Sequence, residues 1–415
     1  MHMRVSPLLC AAVLYPPVPV PRAVASLQLL AGELPPLSGS VKGLLANDSR
    51  EAIARRALKE RDLLEPNTQE MKLPTRSSKA NVATKGKKKA ATGGGFGSKS
   101  SDRPISSVAQ QALNLRSGNI AEKGFCLVPG VLSKESAHEL HACVKDELAA
   151  AYAAVEDDPA TCLGRFNVPI ETMDDKRGYL LLPLVDEKSA NAGVGSSGPL
   201  VRALRELLVQ GAPLANLFLE MCGGGKGKHS PELYDLVGLR TEAGASRQPI
   251  HSDTPWQKTP ALFCAFIALT DVRYEQGTTT FLPGTHTGSK GPRKAFNDGQ
   301  FDPMARDKML SEAESCYTML KAGDAVFFNM NTLHAGTANF ELEDGGGQRL
   351  LFILTFRNRK AKSELGHLPN LRFGYRDRGI SLEDIQAELA GSDPFAGVNM
   401  HDGKPFGDGI VRSSS

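Results

Sequence analysis

Residues 248–256 read Gln248-Pro-Ile-His-Ser-Asp-Thr-Pro-Trp256; an apolar run follows, and then Gly277-Thr-Thr-Thr-Phe-Leu-Pro-Gly284. His251 and Asp253 are two residues apart, so on an extended strand their side chains leave the same face. An imidazole and a carboxylate on one face are two of the three ligands of a facial metal triad. The third is expected to be a distant histidine, with a cation near it to hold an anionic cosubstrate. Both stand downstream: His334 in Asn331-Thr-Leu-His-Ala-Gly-Thr-Ala-Asn339, and Arg349 at the head of Leu350-Leu-Phe-Ile-Leu354.

Order and spacing carry this reading more than any single residue does. His-x-Asp alone recurs by chance, and an arginine before a strand is commonly a surface ion pair. Here the second histidine follows the first by 83 residues and the arginine follows it by 15. Three protein ligands on one octahedral face leave three positions open, two for a chelating keto acid and one for dioxygen. That arrangement suits non-haem Fe(II) oxygenases. A guanidinium at the mouth of an apolar barrel is a fork for a carboxylate, and the far carboxylate of 2-oxoglutarate is the candidate for it. Two other classes stay open at this point: a metal-dependent enzyme of non-oxidative chemistry, and an inactive binding scaffold.

The flanking chain is expected to be mainly β with helices outside. Short β segments with turn signals between them fall at Leu262–Leu269, Thr278–Phe281, Tyr317–Leu320, Ala325–Phe328 and Leu350–Phe356. Upstream, Gly124-Phe-Cys-Leu-Val-Pro-Gly130 reads as a strand closing on a turn. Ser133 then caps a helix from Lys134 to about Ala153, whose apolar face includes Ala137, Leu140 and Val144. Tyr179–Leu184 reads as a strand or a packed loop, and Leu214–Glu220 and Glu232–Arg240 read as further strands. Leu200–Val209, Pro303–Glu312 and Leu382–Leu389 read as helices. Many short strands after helices indicate a β-sandwich or barrel with helices packed against it. A doubly wound parallel sheet is disfavoured, because helix-length connections between the strands are mostly missing.

The charge is unevenly spread over the 415 residues. Residues 1–117 hold 18 Lys and Arg against 8 Asp and Glu, whereas the remainder holds 31 against 38. The basic character therefore belongs to the N-terminal extension, and specific nucleic-acid binding by the folded part is not expected. Residues 1–25, ending Ala23-Val-Ala25, read as a targeting leader. Residues 26–117 read as a basic, largely disordered extension and linker, with a short helix at 42–65 and the run Lys87-Lys-Lys89. Import into a plastid or mitochondrion is expected ahead of secretion. No apolar run approaches the ~20 residues of a membrane span. The seven cysteines have no metal-knuckle spacing, and most lie in apolar runs, as buried free thiols do. His138 and His141, three apart on a helix, lack a third ligand nearby and read as packing or surface histidines.

Four stretches carry a resemblance. Gly124-Phe-Cys-Leu-Val-Pro-Gly-Val-Leu-Ser133, His251-Ser-Asp253, Gln276-Gly-Thr-Thr-Thr-Phe-Leu-Pro-Gly-Thr-His286, and His334-Ala-Gly-Thr-Ala-Asn339 followed by Arg349 resemble the phytanoyl-CoA dioxygenase family of Fe(II)/2-oxoglutarate oxygenases. The resemblance spans Gly124 to about Phe356. It implies a double-stranded β-helix (jelly roll, cupin-like) core over residues 118–360, with a C-terminal extension at 361–415. It implies that His251, Asp253 and His334 are the catalytic metal ligands, that Arg349 binds 2-oxoglutarate, and that Gln248 lies where the family contacts that cosubstrate. Fe(II), 2-oxoglutarate and O2 are the implied cofactor set, with ascorbate in support. The implied reaction is hydroxylation of a small organic, acyl or lipid-like substrate with decarboxylation of 2-oxoglutarate to succinate. Two positions depart from the pattern. Gly336 and Thr337 stand where the family often has a hydroxyl residue two after the distal histidine, and Phe266 replaces a tryptophan seen in some members. Asp253 is retained, whereas related halogenases have a small residue there; the carboxylate points to hydroxylation or another oxidation.

Overall fold

The computed structural model describes residues 116–184, 198–288, 291–298, 302–372, 376 and 378–391. The expected leader, the helix at 42–65 and the lysine-rich linker lie outside the described residues. Among the described residues nine strands form two antiparallel sheets. The larger has the order β1-β7-β4-β9-β3-β2, with β1 at Phe125–Val128, β2 at Arg177–Leu181, β3 at Glu232–Thr241, β4 at Leu262–Ala268, β7 at Ala325–Asn329 and β9 at Arg349–Arg357. The smaller has the order β6-β5-β8, with β5 at Thr279–Phe281, β6 at Cys316–Thr318 and β8 at His334–Gly336. After β4 the chain crosses to the smaller sheet for β5 and β6, returns to the larger for β7, crosses again for β8 and ends in the larger with β9, so two antiparallel sheets share the strands and the helices pack outside them.

Two apolar layers hold this arrangement, and β4 shows why its sequence is a continuous apolar run. Leu262, Cys264, Phe266 and Ala268 face the space between the sheets, beside Phe125, Phe281, Phe328 and Ile353. Phe263, Ala265 and Ile267 face the other way, into a layer with Leu140, Val144, Leu204 and Phe218 from the helices. A strand covered on both faces needs apolar residues at every position rather than at every second one. The helix Lys134–Asp157 begins as the sequence indicates, with the Ser133 hydroxyl accepting from Ser136 N–H, and runs one turn beyond the expected end.

Leu214–Glu220 is a correction: it lies in the helix Pro213–Met221, not in a strand. Pro213 supplies a helical φ at the first turn, where its missing N–H is harmless. Leu214, Ala215, Leu217 and Phe218 are then buried on one side. Phe218 packs edge-on against Phe327 of β7 and tilted against Phe356 of β9, with ring centroids 5.0 and 4.6 Å away. Asn216 and Glu220, four apart on the other side, are the helix's two polar residues, too few in so short an apolar run for periodicity to tell helix from strand.

The chain after β9 folds back onto the same core. Leu365 joins the layer between the sheets, and Leu371, Ile380, Leu382, Ile385 and Leu389 join the layer under the helices. The helix Leu382–Ala390 starts with a capping box formed by Ser381 and Asp384.

Candidate functional site

His251 and Asp253 do not sit on a regular strand, which corrects the expectation of an extended one. Pro249 and Pro255 lack N–H donors, so the segment cannot build a ladder. It makes a single antiparallel bridge to β8 instead: His251 N–H donates to the His334 carbonyl at 3.0 Å, and His334 N–H returns the bond at 2.8 Å. Asp253 N–H donates to the Met330 carbonyl at 3.1 Å and Gln248 N–H to the Gly336 carbonyl at 2.9 Å. The segment thus runs beside β8 as a loosely tied edge of the smaller sheet.

The three side chains converge. Ligand atoms of His251, Asp253 and His334 all lie within 4.8 Å of one another. His251 Nε2 is 3.5 Å from Asp253 Oδ1, and His334 Nε2 is 3.4 Å from Asp253 Oδ2. Both imidazoles are oriented from behind. His251 Nδ1 is 2.8 Å from the Pro249 carbonyl and His334 Nδ1 is 2.9 Å from the Thr332 carbonyl. A carbonyl only accepts, so each Nδ1 carries the proton and each Nε2 presents a lone pair when the ring is neutral. Two lone pairs then face a carboxylate, an arrangement that a cation between them makes favourable.

Burial and charge act in opposite directions here. Burial alone would raise the Asp253 pKa, but the two histidines hold it below the usual carboxylate range. The bond to Asp253 raises His251, whereas burial lowers His334 and keeps it neutral. His334 is locked by packing as well, stacked on Phe281 and edge-on to Phe328.

Arg349 is 2% exposed and has no acidic partner among the described residues. It donates to the Gly277 carbonyl and, at 3.1 Å, to the Thr241 hydroxyl, while its Nε has no partner. Burial draws its pKa down to about 9, so it remains a cation at neutral pH, but a costly one. Gln248 Oε1 accepts from Gly336 N–H at 2.9 Å. Gly336 explains one departure from the family pattern. A Cβ there would lie 2.6 Å from Arg177 Nη1 and 2.8 Å from Gln248 Oε1. The space a side chain would take is filled by a second guanidinium.

Sequence reasoning missed Arg177. It donates through Nη2 to the carbonyls of Ser246 and Thr337, and its buried Nη1 has no partner. Its charge is felt at both His251 and Arg349. The signal available in the sequence was the bare Gly336 itself, which leaves room for a long side chain from elsewhere. Arg293 was missed too. It is buried and donates to Asn297, to the Asn331 carbonyl and, at 2.8 Å, to the hydroxyl of Ser252, the residue between the two first ligands.

Other residues singled out in the sequence play structural parts. Trp256 lies against Gly288 and does not line the cavity beside the triad. His286 Nε2 is 3.1 Å from the Ala121 carbonyl, so it ties its turn to the chain before β1. Asp324 accepts from Gly130 and Lys321 N–H groups. His138 is exposed and His141 half-buried.

The family model of phytanoyl-CoA dioxygenase (PhyH) matches residues 120–340. The curated "Dioxygenase cnsJ" of Penicillium expansum is 27% identical over 128 residues, covering 28% of this chain and 34% of that protein. The human "Phytanoyl-CoA dioxygenase, peroxisomal" is 28% identical over 165 residues, covering 38% of this chain and 44% of its own. The chain thus spans less than half the length of these curated relatives. Among solved structures, the non-heme alpha ketoglutarate dependent epimerase SnoN from nogalamycin biosynthesis is 20% identical with a TM-score of 0.39, over 72% of this chain and 96% of that one. The match over residues 120–340 covers more than half of the sequence and contains the triad, and the chain belongs to the phytanoyl-CoA dioxygenase (PhyH) family.

Proposed function

We propose that this chain is an Fe(II)- and 2-oxoglutarate-dependent dioxygenase that hydroxylates a small organic or lipid-like molecule. The observation that carries the proposal is the pairing of two features. Two imidazole lone pairs and a carboxylate converge, and two arginines stand beside them: Arg349, buried without an acidic partner among the described residues, and the half-buried Arg177, each with a buried nitrogen that lacks a partner. The first asks for a borderline divalent cation and the second for an anion. A keto dicarboxylate that chelates the metal at one end and meets the arginines at the other answers both.

His251 Nε2, Asp253 and His334 Nε2 would hold the iron, with Pro249 and Thr332 carbonyls fixing the two ring tautomers. Iron bound there supplies the chemistry by which O2 takes 2-oxoglutarate to succinate and CO2 and turns a substrate C–H into C–OH. Arg349 and Arg177 bind and orient the distal carboxylate, each through a buried nitrogen that lacks a partner. Gln248 is held by Gly336 N–H at its oxygen, which leaves its amide N–H groups to donate toward the cosubstrate. The apolar walls of the cavity, Phe266, Met330 and Ile353, exclude water from beside the metal.

Three outcomes are expected. Purified protein with Fe(II), ascorbate and 2-oxoglutarate should release succinate in air, slowly without substrate, and His251→Ala should abolish it; release at the same rate in that variant would sink the proposal. In thermal melts of the metal-loaded protein, 2-oxoglutarate should raise the Tm, and Arg349→Met should erase that shift. Arg349→Met should leave the ligand-free protein no less stable, since it removes a buried unpaired charge. Arg293→Met should weaken metal binding by about 10–100-fold, as loss of an outer partner of a ligand segment does, read by competition with a metallochromic dye. An unchanged affinity would show that Ser252 needs no anchor.

A further inference from the structure

Asp235 is a carboxylate, 3% exposed, for which the metal and keto-acid sites have no use. It lies on β3 where the pairing with β9 slips between Leu233 and Asp235. Such a bulge bends a strand and re-aims its side chains. Val237 and Leu239, two and four residues on, face the space between the sheets, and Asp235 shares that face. There it forms part of the wall of a cavity of about 280 Å³ that is also lined by Asp253. The cavity therefore reaches from the metal ligands to Asp235.

The charge of this cavity is one-sided. Among the described residues that line it there is no lysine or arginine; its carboxylates are Asp235 and Asp253, and its single imidazole is that of His367. Asp235 is also incompletely satisfied. Its two hydrogen bonds both fall on Oδ1, from Asn370 N–H and from the Asn370 side-chain amide, each at 2.9 Å. The Thr355 hydroxyl stands beside the carboxylate without a hydrogen bond of good geometry. A buried carboxylate left half-paired is expensive. Burial raises its pKa, a penalty that an entering cation reverses.

On the proposed function above, bound metal offsets the charge of Asp253, so Asp235 is the anion that a substrate meets. We propose that Asp235 recognises a protonated amine, and that the substrate is a compact amine whose apolar body lies against Phe266, Met330 and Ile353. The cavity lies near the lower end of the ~300–1,000 Å³ of small-molecule sites, which fits a compact body. A carboxylate or phosphate at this end would meet like charge with no lysine or arginine among the described lining residues to receive it. The bland account of Asp235 is that it only anchors Asn370, and with it the segment that carries His367.

Asp235→Asn separates the two, because it keeps the volume and an oxygen for Asn370 while removing the charge. The full chain, loaded with Fe(II) and 2-oxoglutarate without oxygen, is titrated calorimetrically at neutral pH with cyclohexylmethylamine, cyclohexylmethanol and cyclohexanecarboxylate. The same titrations are run on metal-free protein. The amine should bind about tenfold more tightly than the alcohol, the scale of one charge-assisted hydrogen bond, and the carboxylate more weakly than either. Asp235→Asn should bring the amine down to the alcohol and leave the alcohol unchanged. An amine advantage that survives the variant, a carboxylate that binds as well as the amine, or no amine binding would each overturn the inference. Loss of Fe(II) or 2-oxoglutarate binding in the unmutated chain would instead count against the proposed function.

Discussion

Two backbone hydrogen bonds join His251 to His334, and everything in the site depends on them. They bring together residues 83 apart in the chain. They also set the register that puts both Nε2 atoms on the same carboxylate. Neither bond belongs to a long ladder, because prolines flank the metal motif. The segment is therefore held at points: Gln248 to Gly336, His251 to His334, Asp253 to Met330, and Ser252 to Arg293. A rigid β8 packed on Phe281 and Phe328 provides the template, and the motif loop is pinned to it.

Charge is partitioned around this bridge. On one side Arg349 is buried without an acid and the half-buried Arg177 keeps a nitrogen without a partner; on the other, the described residues of the cavity wall carry carboxylates and no base stronger than an imidazole. Both halves are costly in the empty protein, and each cost is lowered by a ligand of opposite sign. On the proposed function, unfavourable electrostatics stand where the ligands bind, a common property of sites that hold perturbed groups. Gly336 sits at the border. Its missing side chain lets Arg177 and Gln248 reach the place where a hydroxyl residue would otherwise stand.

Much of this was legible in the sequence. The convergence of His251, Asp253 and His334 was readable because few residue types suit a metal and the fold restricts their spacing. The strands flanking them were readable because β4, β7 and β9 are buried on both faces and so appear as continuous apolar runs. The same apolar continuity misled at Leu214–Glu220, a short helix in the outer layer whose polar stripe is only Asn216 and Glu220. Arg177 and Asp235 were hidden for a different reason. Arg177 sits in Asp174-Asp-Lys-Arg177, which reads as a solvated turn, and only the packing of β2 against β3 carries its side chain inward. Asp235 looks like one polar residue in an amphipathic strand, and nothing local reveals the bulge beside it.

The most direct test of the metal and keto-acid centre is an anaerobic titration of metal-free protein with Fe(II) and then 2-oxoglutarate, followed in the visible for the weak metal-to-ligand charge-transfer band of a chelated keto acid. The account requires the band to appear on addition of 2-oxoglutarate, to vanish in His251→Ala, and to need more 2-oxoglutarate in Arg349→Met. Bound iron that gives no band at saturating 2-oxoglutarate would contradict it.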